Sequence, residues 1–366
     1  MALRAACSPL SRLVVPWEGV SMKLSGITAM GDFWRVIREF NPEGIEREAH
    51  APLDLWISGA PGAGKRTLAA SLLGDQSGTG DQSPFQIIDV QAGAAQLPMP
   101  GEPDLLIVVV RQDQDLLEQS RQAAVLYGRM RAPMLLVFTH VDPAGTTRDL
   151  RNRAYLAFSF ASHLSTIFLD ARDHVEVQER LIPMLLDAIP NLRTPLARRL
   201  PAARRRVASQ IISETCRVNT QFALAATLPA NVPLLGGVAG SVADFFVLTK
   251  NQVMMVLRLG AIYGRDIKST LSTAVEVVPV IGGGLVWRAA ARAAVGMLPT
   301  IVSAAPKMGI AYVGTFVAGE AARYYFAEGS KPPQELLDSF SAEGSRLFHR
   351  LFHGSSPRQI EDIDQI

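Results

Sequence analysis

A glycine-rich turn between a predicted strand and a predicted helix constrains this chain more than any other feature. The turn reads GAPGAGKRT from Gly59 to Thr67, after an apolar strand predicted over residues 53–58 and before a helix predicted over residues 65–73. Glycines let the backbone direct its amides at a phosphate group, the helix N-terminus favours negative charge, and the lysine adds a cation. We therefore predict that the turn binds phosphate through the following residues: Gly59, Gly62, Ala63, Gly64, Lys65, Arg66 and Thr67.

The sequence around this turn alternates short apolar runs with helical stretches. Further strands are predicted over residues 85–90, 105–110, 134–139 and 166–169, and further helices over residues 115–130, 146–163 and 173–188. Such alternation is typical of crossover units that build a parallel sheet, and the unbroken apolar run at 105–110 fits a strand buried on both faces. We therefore predict an α/β domain with a doubly wound parallel sheet over residues 51–190.

The residue after the lysine departs from the phosphate-loop pattern GxxxxGK[ST]. Arg66 stands where that pattern has a hydroxyl that binds magnesium, and the hydroxyl arrives one residue later, on Thr67. Arginine has no lone pair to offer a metal, so we expect magnesium binding to be weakened, transferred to Thr67, or lost. Asp89, at the end of a predicted strand, is the second candidate magnesium ligand, and capping of the strand end is its alternative role.

Two further motifs in this region resemble those of a diverged Era-like small GTPase, a P-loop domain. Thr139-His140-Val141-Asp142 is similar to the family's [NT]KxD motif, and Asp170-Ala171-Arg172 is similar to its SA[KR] motif. The resemblance implies GTP or GDP as the ligand, with the Asp142 carboxylate and the Ala171 N–H reading the guanine edge. The implied guanine-binding residues are Thr139, His140, Asp142, Ala171 and Arg172. His140 replaces the family's lysine, and a turn-forming role before Pro143 is the alternative for Asp142.

The segments that would form nucleotide switches are short in this chain. Only eleven residues, 74–84, separate the helix at 65–73 from the next strand, and Thr79 is their only threonine. The second switch region, at 91–103, is short as well. A switch needs segments that the nucleotide orders and hydrolysis releases. We therefore predict a reduced G domain with slow, partner-assisted or absent GTP hydrolysis, and we assign no catalytic residue.

Two other functions stay open from the sequence. In the first, the chain is a pseudo-GTPase scaffold that binds no nucleotide and presents surfaces to partners. In the second, it is a P-loop nucleotide kinase, because residues 59–67 also resemble the adenylate-kinase loop, which has its hydroxyl at the position of Thr67. A kinase needs a lid, and the sequence has no insertion of that length. It also needs converging arginines, for which four candidates exist: Arg111, Arg121, Arg129 and Arg131.

Charge changes sign along the chain although the formal net charge is only +2. Residues 51–190 carry 16 acidic and 11 basic side chains, whereas residues 191–330 carry 6 acidic and 15 basic ones. Six arginines cluster at the join: Arg193, Arg198, Arg199, Arg204, Arg205 and Arg206. We predict that residues 191–206 form an arginine-rich linker, either solvated or docked on anionic lipid headgroups.

Residues 207–330 are predicted to form an all-α, strongly apolar domain. Residues 218–243 contain no charge, and their prolines and glycines favour two packed helices or a re-entrant hairpin over one straight span. Several segments resemble the bacterial domain of unknown function 697, which commonly follows Era-like GTPase domains: 228–244, 252–255, 259–264, 314–319 and 323–326. The resemblance implies an architecture and membrane association but no reaction. A compact water-soluble helical core is the alternative.

The flanking segments and the composition complete the prediction. Residues 1–50 are expected to form an N-terminal extension with an amphipathic helix at 32–40 and no signal peptide, and residues 331–366 a helix at 333–352 and a tail. Two cysteines give no disulfide framework, and the small net charge excludes the basic field of a nucleic-acid binder. We therefore expect a guanine-nucleotide partner, an anionic membrane surface or membrane protein as a second partner, no nucleic acid, and a cytoplasmic location at the bacterial inner membrane. The oligomeric state stays open.

Overall fold

The computed structural model describes residues 43–74, 84–90, 101–140, 148–225, 241–266 and 304–352, and the structural statements below concern these ranges. Several predicted features lie wholly or mostly outside them: the helix at 32–40, the switch segments at 74–84 (with Thr79) and 91–103, Asp142, and residues 226–240 of the uncharged stretch, which include most of the segment at 228–244. The described residues form a parallel sheet with its helices, followed along the chain by a helical part.

Five strands form one sheet in which all neighbouring strands run parallel. The strands are β1 (Leu55–Gly59), β2 (Phe85–Asp89), β3 (Leu105–Arg111), β4 (Met134–Thr139) and β5 (Ser165–Phe168), in the order β2-β1-β3-β4-β5 across the sheet. All five predicted strands are present, with bounds within two residues of the prediction. With the helices between them, they confirm the α/β class with a parallel sheet, and this architecture is compatible with a P-loop fold.

Helices alternate with the strands. They are α1 (Glu43–Ala49), α2 (Lys65–Leu73), α3 (Leu116–Arg129), α4 (Arg148–Ala157), α5 (His174–Glu176) and α6 (Ile182–Ala188), with a π-helical turn, Val177–Leu181, between the last two. The Asp115 carboxylate caps α3 by accepting hydrogen bonds from the N–H groups of Leu117 and Glu118. One core cluster joins the sheet to α3 and α4, and its largest fully buried side chains are Trp56 and Phe138.

The chain reverses its direction across the sheet at β1. From β1 it passes through α2 to β2 on one side, and β3, β4 and β5 follow in order on the other side. Doubly wound proteins bind ligands at the carboxyl ends of the strands where such a reversal occurs, because the outgoing loops diverge and leave a crevice. Gly59, the last residue of β1, lies at this edge, paired with Asp89 of β2 and Val109 of β3.

The second part of the described chain is helical. A 3-10 turn, Pro190–Leu192, leads into α7 (Arg193–Arg199), α8 (Pro201–Ala225), α9 (Ser241–Ile262), α10 (Ala304–Glu328) and α11 (Gln334–Phe352). Helix α8 packs against α9 and α10, and α11 packs against α10. Gly319 permits the close approach of α10 to α8, because a methyl group on it would lie 2.7 Å from Ile212 Cγ1. The predicted helical class of this region and its C-terminal helix are confirmed.

The interior of the helical part contains polar side chains. Asn219, Gln252 and Thr315 have no exposed surface, and Thr315 Oγ1 accepts hydrogen bonds from Asn219 Nδ2 (2.9 Å) and Gln252 Nε2 (3.1 Å). Among the helices that the structure describes, none combines the length and the apolar character needed to cross a bilayer. The strongly apolar character predicted for this domain is therefore not confirmed.

Most arginines of the predicted linker have partners within the chain. The linker itself is helical, since it comprises the 3-10 turn, α7 and the start of α8. Arg199 of α7 donates hydrogen bonds to the carbonyl oxygens of Ala51 and Leu53, each at 3.1 Å, and so holds the segment that enters β1. Three more arginines of the cluster have internal partners: Arg193, Arg198 and Arg204. Arg205 and Arg206 are exposed, and the predicted lipid contact would depend mainly on these two.

Candidate functional site

Glycines give the turn after β1 the backbone shape of an anion cradle. Gly64 is the N-cap of α2 in the left-handed conformation, with a φ of 88°, so the first N–H groups of α2 follow directly and lack partners within the helix. Gly59 leaves no room for a side chain, because a methyl group on it would lie 2.2 Å from the Val109 carbonyl oxygen. The tight turn that the glycines predict is present, and the binding of phosphate by its amides stays a prediction.

Lys65 is buried at this turn, with 4% of its side chain exposed. Its Nζ donates hydrogen bonds to the carbonyl oxygens of Gly59 (2.8 Å) and Ala60 (2.6 Å) and lies 2.7 Å from Asp89 Oδ1. The hydrogen bond and the charge of Lys65 hold the pKa of the Asp89 carboxyl below its ordinary value, and the charge of Arg66 acts in the same direction. The ammonium is thus a fixed positive charge at the turn, and Asp89 is its counter-ion.

The turn, the end of β4 and the loop after β5 meet at Gly64. A methyl group on Gly64 would lie 3.9 Å from both His140 Cε1 and Thr139 Oγ1, and 4.0 Å from Ala171 Cβ. Residues so distant in sequence meet because the carboxyl ends of parallel strands lie along one edge of the sheet. The structure therefore brings the predicted phosphate-binding turn together with three of the five predicted guanine-binding residues.

Thr139 connects β4 to the turn. Its buried hydroxyl donates a hydrogen bond to the Ala63 carbonyl oxygen at 2.8 Å and lies 3.1 Å from His140 Nδ1. His140, the residue after β4, has a φ of 58°, in the left-handed region that residues other than glycine seldom adopt. The next residues, including Asp142, lie outside the described ranges, so the carboxylate contact with guanine stays a prediction.

The loop after β5 is held against α2. The Ser71 hydroxyl of α2 donates a hydrogen bond to the Ala171 carbonyl oxygen at 2.6 Å, and Ala171 is buried. Asp170, which replaces the serine of the SA[KR] motif, accepts a hydrogen bond from the Arg172 N–H at 3.0 Å and stabilises the turn. Arg172 itself is exposed, and its contact with guanine stays a prediction.

Arg111, which the sequence offered only as one of four candidate arginines of a kinase, lies beside the turn. It is the last residue of β3, and a methyl group on Gly62 would lie 3.2 Å from its Nη1. The Gln119 side chain fixes its backbone by accepting from the Arg111 N–H (2.8 Å) and donating to the Arg111 carbonyl (2.9 Å). The guanidinium forms a two-bond ion pair with Asp113, at 2.9 and 2.5 Å. The available signal was a cationic residue directly after the apolar run at 105–110, because the ends of parallel strands share one edge.

The donor set beside Lys65 does not fit a magnesium ion. Magnesium takes oxygen ligands in near-octahedral geometry, usually one or two carboxylates with water and phosphate. Arg66 offers no lone pair, and the Asp89 carboxylate already pairs with Lys65. Thr67, exposed in the first turn of α2, is left with only a neutral hydroxyl to offer. The described ranges contain no group of three His, Cys, Asp or Glu side chains that could hold a metal.

Comparison with known proteins adds nothing to this geometry. No protein-family model matches the chain, and no curated protein matches it either. The resemblances to Era-like GTPases and to domain 697 therefore stay predictions.

Proposed function

We propose that this protein binds a guanine nucleotide, GTP or GDP, at the carboxyl edge of the sheet. We propose further that the bound nucleotide regulates a process at the inner face of a bacterial membrane. The observation that supports the nucleotide most strongly is the meeting of the glycine turn with Thr139, His140 and Ala171 at Gly64. A nucleotide needs a phosphate cradle and a base-binding surface side by side, and this edge offers candidates for both.

The phosphate groups would occupy the glycine turn. Backbone N–H groups of the turn and of the start of α2 would donate to the phosphate oxygens, favoured by the helix dipole. Lys65 would exchange Asp89 for a phosphate oxygen while it keeps the carbonyl oxygens of Gly59 and Ala60. Because 55% of the Asp89 side chain is exposed, water can solvate the released carboxylate, so the exchange costs little.

The base would lie beside His140 and the loop at Ala171. The resemblance to Era-like GTPases assigns the guanine edge to Asp142 and to the Ala171 N–H. A carboxylate accepts both N–H groups on that edge of guanine, and this contact distinguishes guanine from adenine. The Ser71 hydroxyl supports the proposal, since it fixes the Ala171 carbonyl and with it the adjacent peptide.

The regulatory part of the proposal rests on the sequence. The short segments at 74–84 and 91–103 favour slow or partner-assisted hydrolysis, so the protein would act mainly through its bound state. The membrane location rests on the uncharged stretch at 218–243 and on the resemblance to domain 697. Flotation of the full chain with anionic and with zwitterionic vesicles tests it, and absence from both vesicle fractions would remove the membrane from the proposal.

A scaffold that binds no nucleotide is the second candidate. It is favoured by one observation, which is that Lys65 Nζ already has three acceptors within the chain. In a scaffold these contacts would serve the stability of the turn alone. The two functions differ in whether a phosphate can displace Asp89.

Equilibrium titration with fluorescent GDP, GTP and ATP separates these functions. The wild-type chain should bind both guanine nucleotides and bind ATP more weakly. Lys65→Met should lower the affinity for GDP about tenfold or more, the effect of one lost charge-assisted hydrogen bond. Lys331→Met is the matched control, because Lys331 is an exposed lysine between α10 and α11.

The outcomes assign the function. Binding that is lost in Lys65→Met and kept in Lys331→Met supports the nucleotide site. No binding of any nucleotide by the wild-type chain would leave the scaffold, and a preference for ATP would favour the kinase. Asp142→Ala should reduce the preference for GDP over ADP without removing phosphate-dependent binding.

A further inference from the structure

The position after the phosphate-binding lysine carries a permanent cation. Arg66 is the second residue of α2, and its side chain is exposed. In the GxxxxGK[ST] pattern the hydroxyl at this position is a magnesium ligand. A guanidinium has five N–H donors, no lone pair, and a charge that persists at all ordinary pH values. The chain therefore has a fixed positive charge where related sites hold a divalent cation.

Asp89, the carboxylate that the described residues place at Lys65, is already paired with a cation of the chain. Asp89 Oδ1 lies 2.7 Å from Lys65 Nζ, and the depressed pKa of Asp89 is due first to Lys65 and in smaller part to the charge of Arg66. Arg66 directly follows Lys65 in α2, and its charge acts on Asp89 in the same direction as that of Lys65. In the nucleotide-free chain, a magnesium ion at Asp89 would have to displace Lys65. Once Lys65 has exchanged Asp89 for a phosphate oxygen, the ion would still be repelled by the charge of Arg66.

Thr67 does not restore the missing ligand. A step of one residue along an α-helix turns the side chain by about 100°, so Thr67 faces a different direction from position 66. Its hydroxyl is neutral, and magnesium sites normally include at least one carboxylate beside the phosphate oxygens. The donor set thus disfavours the ion, whereas the cations favour the phosphates.

Three cationic residues belong to the turn or lie beside it, and two of them, Lys65 and Arg111, are paired with exposed carboxylates that a phosphate could replace. Lys65 lies at the turn, Arg66 follows it, and Nη1 of Arg111 lies beside Gly62. The N-terminus of α2 adds a favourable dipole. Arginine also binds phosphate through two parallel hydrogen bonds, which a metal ion or a lysine does not provide.

We propose that Arg66 takes the place of the divalent cation, so that the nucleotide binds as the metal-free di- or triphosphate. This inference rests on the proposed nucleotide site and deepens it. The guanidinium neutralises the terminal phosphates, and Asp89 serves as the resting partner of Lys65 rather than as a metal ligand.

Titration of GDP and GTP in buffer with magnesium chloride and in buffer with EDTA tests this proposal. The wild-type dissociation constants should differ by less than about threefold between the two buffers. In Arg66→Ser, which recreates the hydroxyl of the pattern, the affinity in EDTA should fall about tenfold or more, and magnesium should restore part of it. Arg66→Lys keeps the charge and should lie between the two.

Arg346→Ser is the matched control. Arg346 is an exposed arginine of α11. This variant should bind GDP like the wild-type chain in both buffers. If it loses affinity in EDTA as Arg66→Ser does, general surface charge is responsible, and the proposal is wrong.

Three further outcomes have distinct meanings. Wild-type binding that requires magnesium would overturn this inference and leave the nucleotide site intact. Equal affinities of Arg66→Ser and the wild-type chain in EDTA would overturn the role of Arg66 alone. Failure of the wild-type chain to bind in either buffer would overturn both the inference and the proposed function.

Discussion

At the scale of single residues, the carbonyl and the Cα of Gly59 are fixed from three directions. Its carbonyl oxygen accepts hydrogen bonds from Lys65 Nζ (2.8 Å) and from the Val90 N–H (3.1 Å), and its Cα faces the Val109 carbonyl of the neighbouring strand. The sheet therefore sets the shape of the turn, and a ligand would not have to order it. Such preorganisation lowers the entropic cost of binding.

Gly59→Ala should strongly destabilise the protein. The added methyl group would lie 2.2 Å from a backbone oxygen that cannot move without distorting β3, and we expect a loss of about 3 kcal/mol in the free energy of unfolding. Chemical denaturation followed by circular dichroism measures it. Gly128→Ala is the control, because Gly128 is an exposed helical glycine with open space around it. Its replacement should leave the free energy of unfolding unchanged or raise it slightly. Equal stability of the two variants would contradict the steric argument.

Arg111→Ala should weaken nucleotide binding without affecting the fold. The guanidinium lies beside Gly62, and its ion pair with Asp113 is partly exposed, so its loss removes a phosphate partner at little cost in stability. We expect the dissociation constant for GDP to rise about tenfold. Isothermal titration calorimetry measures the change, with Arg346→Ala, an exposed arginine of α11, as the control. An unchanged affinity would show that Arg111 pairs with Asp113 and does not contact the nucleotide.

At the scale of elements, local signals predicted the strands well and the site only in part. The strand at 105–110 was predictable because its run is unbroken and apolar, and α2 because Gly64 precedes it. The hydrogen bond from Thr139 to Ala63 was not predictable, since it depends on the end of β4 lying next to a turn 76 residues earlier in the chain. Motif spacing identified the right loops, and only the sheet order brings them to one point.

Thr315→Val should destabilise the helical part through its polar layer. Valine matches the shape of threonine but leaves the amide groups of Asn219 and Gln252 without their acceptor in a fully buried position. An unpaired buried donor costs about 1–3 kcal/mol, so we expect a loss of about 2–4 kcal/mol in total. Thermal unfolding measures it. Thr315→Ser keeps the acceptor and should lose only about 1 kcal/mol, and a larger loss for Ser than for Val would contradict the role of the hydroxyl.

At the scale of the whole molecule, the arginine cluster makes contacts that could not be predicted from the sequence. Composition identified residues 191–206 as a basic segment and suggested a linker or a lipid contact. Arg199 donates to carbonyl oxygens 146 and 148 residues away. Because every residue has a backbone carbonyl, the sequence does not indicate which of them accept these hydrogen bonds. Helix α2, which follows the phosphate turn, also contacts α8 of the helical part.

Arg199→Ala should uncouple the unfolding of the two parts. The substitution removes the two hydrogen bonds from Arg199 to the carbonyl oxygens of Ala51 and Leu53, which should lower the free energy of unfolding by about 2 kcal/mol. Trp56, fully buried in β1, reports on the sheet once Trp17, Trp34 and Trp287 are replaced by phenylalanine. Cys216, fully buried in α8, reports on the helical part in a chain with Cys7→Ser.

The thiol of Cys216 suits this purpose because burial raises its pKa, so the reactive thiolate forms only after the helical part opens. The reference chain carries the three Trp replacements and Cys7→Ser and keeps Arg199. In it, the denaturant midpoints from Trp56 fluorescence and from Cys216 labelling should coincide, since one cooperative unit contains both probes. In Arg199→Ala they should separate, with the two parts unfolding at different denaturant concentrations. Arg205→Ala, an exposed neighbour, should leave both midpoints in place. If the midpoints already differ in the reference chain, the hydrogen bonds of Arg199 do not couple the two parts. A nucleotide at the turn would then have to act on partner molecules without the helical part.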